Sequence, residues 1–108
     1  MAALFYLVRG YRIVAWRYRR KVGEIDLVAR RGLTLAFVEV KARGDIDAAI
    51  EAVSPKSRRR FEAAARRFLA EAEAKGALDP AAFAIRYDIF AVAGLRTERI
   101  KDAWREGE

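Results

Sequence analysis

The stretch that decides the fold is residues 23–43, which read GEIDLVARRGLTLAFVEVKAR. Polar and apolar residues alternate on both sides of Gly32, which is typical of paired strands with one buried face. Glycine accepts the positive φ angle that a tight turn requires, so Arg31-Gly32 suits a hairpin turn. We therefore expect two neighbouring strands over residues 24–31 and 33–42.

This hairpin carries two carboxylates and a lysine within an otherwise apolar pattern. Strict alternation puts Glu24 and Asp26 on one face of the first strand, opposite its apolar residues, and Glu39 with Lys41 on one face of the second. Because the strands pair, Asp26 and Glu39 are expected to converge. Two carboxylates and a backbone carbonyl suit Mg²⁺ or Mn²⁺, while Lys41 can orient water or stabilise developing charge on a phosphodiester. The alternative is a structural ion pair of Lys41 with either carboxylate.

The composition excludes several other chemistries. The 108 residues include no histidine, cysteine, asparagine or glutamine. Ser-His-Asp and Cys-His catalysis, disulfides and metal sites built on Cys or His are therefore ruled out. A site of carboxylates and lysine is consistent with this inventory. With 54% apolar residues, the chain is expected to form one domain over residues 1–108.

Basic residues are concentrated in two blocks. Residues 1–31 contain eight basic and two acidic side chains, and residues 54–68 contain six and one, within a net charge of +7. The intervening residues 32–53 contain two basic and four acidic side chains. This distribution predicts a polyanion held on both sides of a carboxylate site. The alternative is an arginine-rich surface with no such partner.

The remaining periodicities predict a mixed α/β sandwich around a small sheet. Six further elements are expected in chain order: a helix over 2–9 that Gly10 ends, a strand over 11–20, a short helix with Ile46, Ala49, Ile50 and Val53, a long helix from Ser54-Pro55 to Gly76, a strand over 83–93, and a last short helix with Ile100, Ala103 and Trp104. Arg86 and Asp88 share a strand face and are expected to form a structural ion pair. The rings of Phe61, Phe68 and Trp104 are expected in the core.

The segment from Trp16 to Lys21 interleaves aromatic and basic residues, as single-strand and junction binders do. The simpler interpretation, which we adopt for the aromatic residues, puts Trp16 and Tyr18 on one buried strand face. The basic residues of the segment are then left to contact phosphate.

Several segments together resemble the YraN-like family, which is related to Holliday-junction resolvases within the PD-(D/E)XK nuclease superfamily. The resemblance covers essentially the whole chain in order. The segments that carry it are Gly10-Tyr11-Arg12-Ile13, Gly23 to Ala29, Phe37 to Arg43, Ala52-Val53 with Lys56, Arg86 to Ile89, and Arg99 to Trp104.

The resemblance implies a restriction-endonuclease-like fold, which is a three-layer sandwich with a mixed central sheet flanked by helices in the order αβββααβα. It implies that Asp26 and Glu39 are metal ligands for Mg²⁺ or Mn²⁺, and that Lys41 is the catalytic lysine. Glu24 and Lys56 become accessory candidates. Family members begin with a longer helix that carries a glutamate, whereas residues 1–9 contain no acid. The first helix is therefore expected to be shortened, and either the start is truncated or the protein lacks one carboxylate and binds metal more weakly.

The function expected from these features is that of a metal-dependent endonuclease acting on structured or branched DNA. Without Asn and Gln, the bidentate recognition of adenine is excluded, so phosphate contacts and DNA shape would guide binding. The expected nucleic-acid contacts are Arg17, Arg19, Arg20, Lys21, Arg43, Arg59 and Arg60.

Partners and location follow from the same features. A resolvase needs two active sites, so it would act as a homodimer. The alternatives are a nucleic-acid-binding module without metal competence, and an interaction protein whose basic surfaces meet an acidic partner. No apolar run reaches membrane-spanning length and no leader is recognisable, so we expect a cytoplasmic protein without a membrane segment.

Overall fold

The computed structural model describes residues 1–107, in which a five-stranded mixed sheet is flanked by helices. The predicted α/β class is confirmed. The elements are α1 (Ala2–Leu7), β1 (Arg12–Arg20), β2 (Gly23–Arg31), β3 (Thr34–Ala42), α2 (Ile46–Glu51), α3 (Pro55–Ala74), a 3₁₀ turn (Pro80–Ala82), β4 (Ala84–Ala93) and β5 (Arg96–Trp104).

The strands lie in the order β1-β2-β3-β4-β5, and every neighbouring pair is antiparallel except β3 with β4. The predicted hairpin is confirmed, because Arg31 pairs with Thr34 around Gly32, whose φ is +59°. The parallel step from β3 to β4 is made through α2 and α3, as a crossover requires. Ser54 begins α3 as predicted, since its Oγ accepts a hydrogen bond from the Ser57 N–H at 3.2 Å.

Helices cover both faces of the sheet and give three layers. On the face covered by α3, Val28 and Phe37 of the sheet pack with Phe61 of the helix. On the other face, Tyr6 of α1 packs with Leu27 and other residues of the strands. No helix within residues 1–107 is both long and apolar enough to cross a membrane.

The predicted C-terminal helix is wrong, because residues 96–104 form β5 instead. The expected order αβββααβα therefore becomes αβββααββ. Positions i and i+4 share a face in a strand as well as in a helix, so the spacing of Ile100 and Trp104 fits both. Pairing decides between them, since Ile100 lies opposite Ile89 and Trp104 opposite Tyr87. Trp104 is 2% exposed and stacks on Tyr87, so its predicted place in the core is confirmed.

The prediction that Trp16 is in the core is also wrong. Trp16 is 71% exposed, whereas Tyr18 packs in the core under α3. The residue between them, Arg17, has a φ of +52°, in the left-handed region that few residues other than glycine adopt. This conformation interrupts the alternation, so Trp16 and Tyr18 lie on opposite faces of the sheet.

The side chains of strand β2 switch faces of the sheet opposite the same point of β1. Ile25 pairs with Tyr18 and packs under α3, whereas Leu27 pairs with Trp16 and packs under α1. The expected shared face of Ile25 and Leu27 is therefore wrong, and Asp26 lies at the point of reversal. The side chains of β1 and β2 switch faces at the same place. The side chain of Asp26 therefore does not follow the regular alternation between the two faces of the sheet.

A buried polar network fixes α1 against the sheet. Asp88 is fully buried and accepts hydrogen bonds from Arg86 Nε at 2.9 Å and from the Tyr6 hydroxyl at 2.6 Å. The Arg86 guanidinium also donates to the Tyr11 hydroxyl at 2.7 Å. Burial and the neighbouring Asp88 charge raise the pKa of Tyr6, which keeps this hydroxyl a donor. The predicted ion pair of Arg86 and Asp88 is thus confirmed, and it ties α1 to β4.

A close approach at Gly23 sets the distance between β2 and α3. A Cβ atom at this position would lie 2.1 Å from the backbone oxygen of Arg60. Only glycine permits the helix to reach the start of β2, next to Glu24.

We expect Gly23→Ala to lower the free energy of unfolding by about 1–3 kcal/mol, because the added methyl group forces α3 away from the sheet. Chemical denaturation followed by circular dichroism measures this change. Gly44→Ala is the matched control, since a Cβ there meets no atom within 4 Å. Equal stability of the two variants would contradict the close contact.

Candidate metal site and nucleic-acid interface

Asp26 lies where the hydrogen-bonded ladder between β2 and β3 ends. Paired positions run from Arg31 opposite Thr34 to Leu27 opposite Val38, and none follows. Instead, Oδ2 of Asp26 accepts a hydrogen bond from the backbone N–H of Val40 at 2.7 Å. Its Oδ1 has no hydrogen-bond partner within residues 1–107. One carboxylate oxygen thus holds the opened strands together, and the other is free to bind a ligand.

Glu39 and Lys41 lie side by side on β3, with Glu39 Oε1 3.2 Å from Lys41 Nζ. Their predicted shared face is confirmed, since Val38 and Val40 pack on the opposite face. Both side chains are mostly buried, with exposed fractions of 16% for Glu39 and 25% for Lys41. The structural ion pair considered from the sequence is therefore present.

The two residues open into a cleft of about 290 Å³ between the sheet and α3, called here the acidic cleft. Its other lining residues are Glu24, Ser57, Arg60 and Phe61. Glu24, one of the two accessory candidates, thus lines the same cleft as Glu39. Lys56 is exposed and does not line the cleft, whereas its neighbour Ser57 does. Ser57 was not anticipated from the sequence, because its inclusion depends on how α3 rests against β2.

The negative charge of Glu39 is only partly compensated by its surroundings. Burial raises the pKa of Glu39, and the negative charge of Asp26 raises it further. Lys41 lowers this pKa through its charge and its hydrogen bond, while Glu24 raises it. The net shift remains upward, so one ammonium group does not compensate for burial and the neighbouring carboxylates. A divalent cation would supply the missing positive charge.

The donor atoms present fit a hard divalent ion. Asp26 offers its free Oδ1, and Glu39 offers its carboxylate. The carbonyl of Val40 faces the opened ladder together with its N–H, because both groups of a strand residue point to the same side. Within residues 1–107, no group of three or more His, Cys, Asp or Glu residues is arranged to hold a metal. Mg²⁺ commonly binds proteins through one or two carboxylates and keeps several waters, so two carboxylates fit it.

A second cleft of about 260 Å³ lies on the α1 face, and we call it the tryptophan cleft. Asp26, Trp16 and Arg17 line it together with apolar residues of α1 and the strands. The sequence prediction missed this cleft because it assigned Trp16 to the core. The alternation of aromatic and basic residues over 16–21 was the signal that could have identified it.

The basic residues predicted to contact nucleic acid differ in their surroundings. Arg20 is already engaged, because its Nη2 donates to Glu71 Oε1 at 2.8 Å and its Nε to Glu71 Oε2 at 3.0 Å. The hydrogen bonds from Arg20, Tyr18 and Arg67 lower the pKa of Glu71 to about 2, despite an opposing effect of desolvation. Arg20 therefore has a structural partner.

The other predicted contacts divide by location. Arg60 lines the acidic cleft and Arg17 lines the tryptophan cleft. Arg19 Nε lies 3.9 Å from Glu24 Oε1, at the border of the acidic cleft. The remaining predicted contacts have exposed side chains outside both clefts: Lys21, Arg43 and Arg59.

Comparison with known proteins identifies relatives over most of the chain. Residues 1–92 match the model of the family described as "Uncharacterised protein family UPF0102". A UPF0102 protein of Parvibaculum lavamentivorans is 45% identical over 106 residues, which cover 97% of this chain and 76% of the relative. A UPF0102 protein of Sinorhizobium fredii is 49% identical over 98 residues, covering 91% of this chain and 76% of the relative. The matched region includes both strands of the candidate site, in agreement with the YraN-like resemblance.

Two substitutions should move the pKa of Glu39 in opposite directions. We expect Asp26→Asn to lower it, because a negative charge next to Glu39 is removed, and Lys41→Met to raise it, because a positive charge is removed. Carboxyl chemical shifts followed by NMR against pH measure both effects, with Glu51→Gln on α2 as the control. Shifts in the same direction would contradict the described electrostatics.

Proposed function

Because the chain belongs to the UPF0102 family, whose description names no activity, we propose its function from its site: a metal-dependent endonuclease that acts on structured or branched DNA. The observation that carries this proposal is the opened ladder between β2 and β3, where Asp26 lies beside the pair of Glu39 and Lys41. The αβββαα order around a mixed sheet is consistent with a restriction-endonuclease-like fold of the PD-(D/E)XK type, which forms part of the proposal.

Each side chain has a role in this proposal. Asp26 and Glu39 would hold Mg²⁺ or Mn²⁺, and the ion would polarise the phosphodiester and lower the pKa of a bound water. Lys41 keeps its ammonium group against Glu39 and can donate from there to the attacking water or to a phosphate oxygen. Water adds to phosphorus and one P–O ester bond breaks, so the products are a phosphomonoester and a free hydroxyl.

Recognition in this proposal depends on phosphates and shape. Arg60 lines the acidic cleft with Glu39 and Lys41, and Arg17 lines the tryptophan cleft with Asp26, so the two guanidinium groups can contact a DNA backbone at both clefts. The absence of Asn and Gln removes the usual side chains for recognising adenine. Symmetrical cleavage of a four-way junction needs two sites, which a homodimer would provide.

The test is cleavage of labelled four-way junction, flap and linear duplex DNA with Mg²⁺ or Mn²⁺. We expect the branched substrates to be cut, and Asp26→Asn, Glu39→Gln and Lys41→Met each to reduce the rate by at least about 100-fold, since each removes charge stabilisation from the transition state. Asp47→Asn and Lys75→Met are the matched controls, because both side chains are exposed and lie outside the acidic cleft. Full activity in both Asp26→Asn and Lys41→Met would exclude this site.

A second candidate function is nucleic-acid binding without cleavage. The observation that favours it is that, within residues 1–107, no three acidic or other metal-binding side chains are grouped around one point. We expect the affinity for DNA to fall steeply and linearly with salt on logarithmic axes, because bound Arg and Lys side chains release counterions. A salt titration without divalent metal measures the slope. Steep dependence with no cleavage supports this second function, and no DNA binding at low salt favours an acidic protein partner.

A further inference from the structure

Trp16 is the most exposed aromatic ring beside the candidate site, and the proposed function leaves it without a role. Its side chain is 71% exposed, whereas the other tryptophan, Trp104, is 2% exposed. The indole lies at the tryptophan cleft, which Asp26 also lines. An exposed indole next to Asp26 is suited to bind a molecule that stacks on aromatic rings.

The backbone holds Trp16 in this position. Arg17 has its φ at +52°, and this left-handed conformation turns Trp16 away from the core that contains Tyr18. Regular alternation would have put both rings on one face. The exposure of Trp16 thus results from the backbone conformation of Arg17, which lies beside Asp26. Strained backbone positions of this kind are concentrated at functional sites.

The lining of the tryptophan cleft suits a planar, mostly apolar ligand. Its walls include Leu27, Val40, Phe90 and Val92, and its charged groups are Asp26 and Arg17. The guanidinium carbon of Arg17 lies 5.7 Å from the centroid of the Trp16 ring. An apolar wall and an aromatic face suit a nucleobase, and the neighbouring cation suits the phosphate attached to it.

We propose that the tryptophan cleft binds an unpaired base of the DNA substrate, stacked on Trp16 next to the cleaved phosphodiester. This inference rests on the proposed function and narrows its substrate class to DNA that is unpaired at the cleavage site, such as flaps, forks and open junctions. Bases within a duplex are stacked on their neighbours, so their faces are inaccessible to an indole. Charge favours this occupant over a second copy of the chain. Residues 1–31 carry eight basic and two acidic side chains, so this segment would repel the same segment of a second copy.

The test uses tryptophan fluorescence of the full chain in EDTA, so that binding is observed without cleavage. We expect oligothymidylate and flap DNA to quench the emission of the exposed tryptophan, and blunt duplex to bind with little quenching. Trp16→Phe retains only the buried Trp104 and should show no quenching with any DNA. Quenching of equal size by duplex and single strand would overturn the proposal.

Affinity provides a second, independent readout. We expect Trp16→Ala to weaken binding of flap DNA about 10-fold, because a stacked base is lost, while the affinity for blunt duplex stays unchanged. Trp16→Phe should retain most of the affinity, since phenylalanine also stacks. Leu95→Ala is the control for loss of an exposed apolar side chain, because Leu95 is 99% exposed and outside the tryptophan cleft. Equal affinity of Trp16→Ala and the unmodified chain for flap DNA would overturn the proposal.

The two hypotheses fail in different ways. Selective quenching without any cleavage in Mg²⁺ or Mn²⁺ supports base stacking and contradicts the endonuclease. Cleavage of branched DNA with unchanged Trp16 fluorescence supports the endonuclease and overturns base stacking. A blue shift of the Trp16 emission that grows with protein concentration in the absence of DNA assigns the cleft to a second copy, which also overturns the proposal.

Discussion

The hydrogen bond from the Val40 N–H to Oδ2 of Asp26 is the interaction on which the candidate site depends. It gives the backbone of β3 a side-chain partner where β2 no longer offers one, so the ladder can open without leaving this donor unpaired. The same bond fixes the carboxylate of Asp26, which lines the tryptophan cleft, next to the strand that carries Glu39 and Lys41. Without it, an open ladder in the middle of a sheet would expose backbone groups with no compensation.

Two packing features support this opening from either side. Gly23 lets α3 approach β2 closely, which brings Ser57 and Arg60 to the acidic cleft. The buried network of Asp88 with Tyr6 and Arg86 holds α1, whose first residues form a wall of the tryptophan cleft. Each cleft therefore has its own anchor and its own lining residues, and strands β2 and β3 contribute to both.

The carboxylates of Asp88 and Glu39 differ in how completely their charges are compensated. Asp88 has partners for both oxygens, among them a guanidinium, a tyrosine hydroxyl and the backbone N–H of Asp102. Glu39 has one lysine, and its pKa is still raised by burial and by Asp26. The stability linked to a raised carboxyl pKa is present below the unfolded pKa and is lost as pH rises through the folded pKa. Ionisation of Glu39 thus lowers the stability of the fold as pH rises, an effect that a bound cation would offset.

The sequence predicted the hairpin, the first turn of α3 and the ion pair of Arg86 with Asp88, because each depends on residues close in the chain. The sheet faces of Trp16, Ile25 and Leu27 were assigned wrongly, because strict alternation assumes a regular pleat. The left-handed conformation of Arg17 interrupts this pleat, and nothing in the sequence indicates it, because arginine rarely adopts that conformation. The role of Ser57 in the acidic cleft could not be predicted either, because it depends on the long-range contact at Gly23. The C-terminal strand was missed because a spacing of four residues fits both a helix and a strand.

The reversal at Arg17 and Asp26 also bears on the proposed selection of unpaired DNA. Trp16 and Asp26 line the cleft on the α1 face, whereas Glu39 and Lys41 line the cleft on the α3 face. A nucleotide that used both clefts would have its base and its phosphate in separate environments, one aromatic and one ionic. A paired base cannot leave the duplex without losing its stacking and hydrogen bonds, whereas an unpaired base loses little. The chain would then select DNA by the free energy of exposing a base, which requires no side chain that reads sequence.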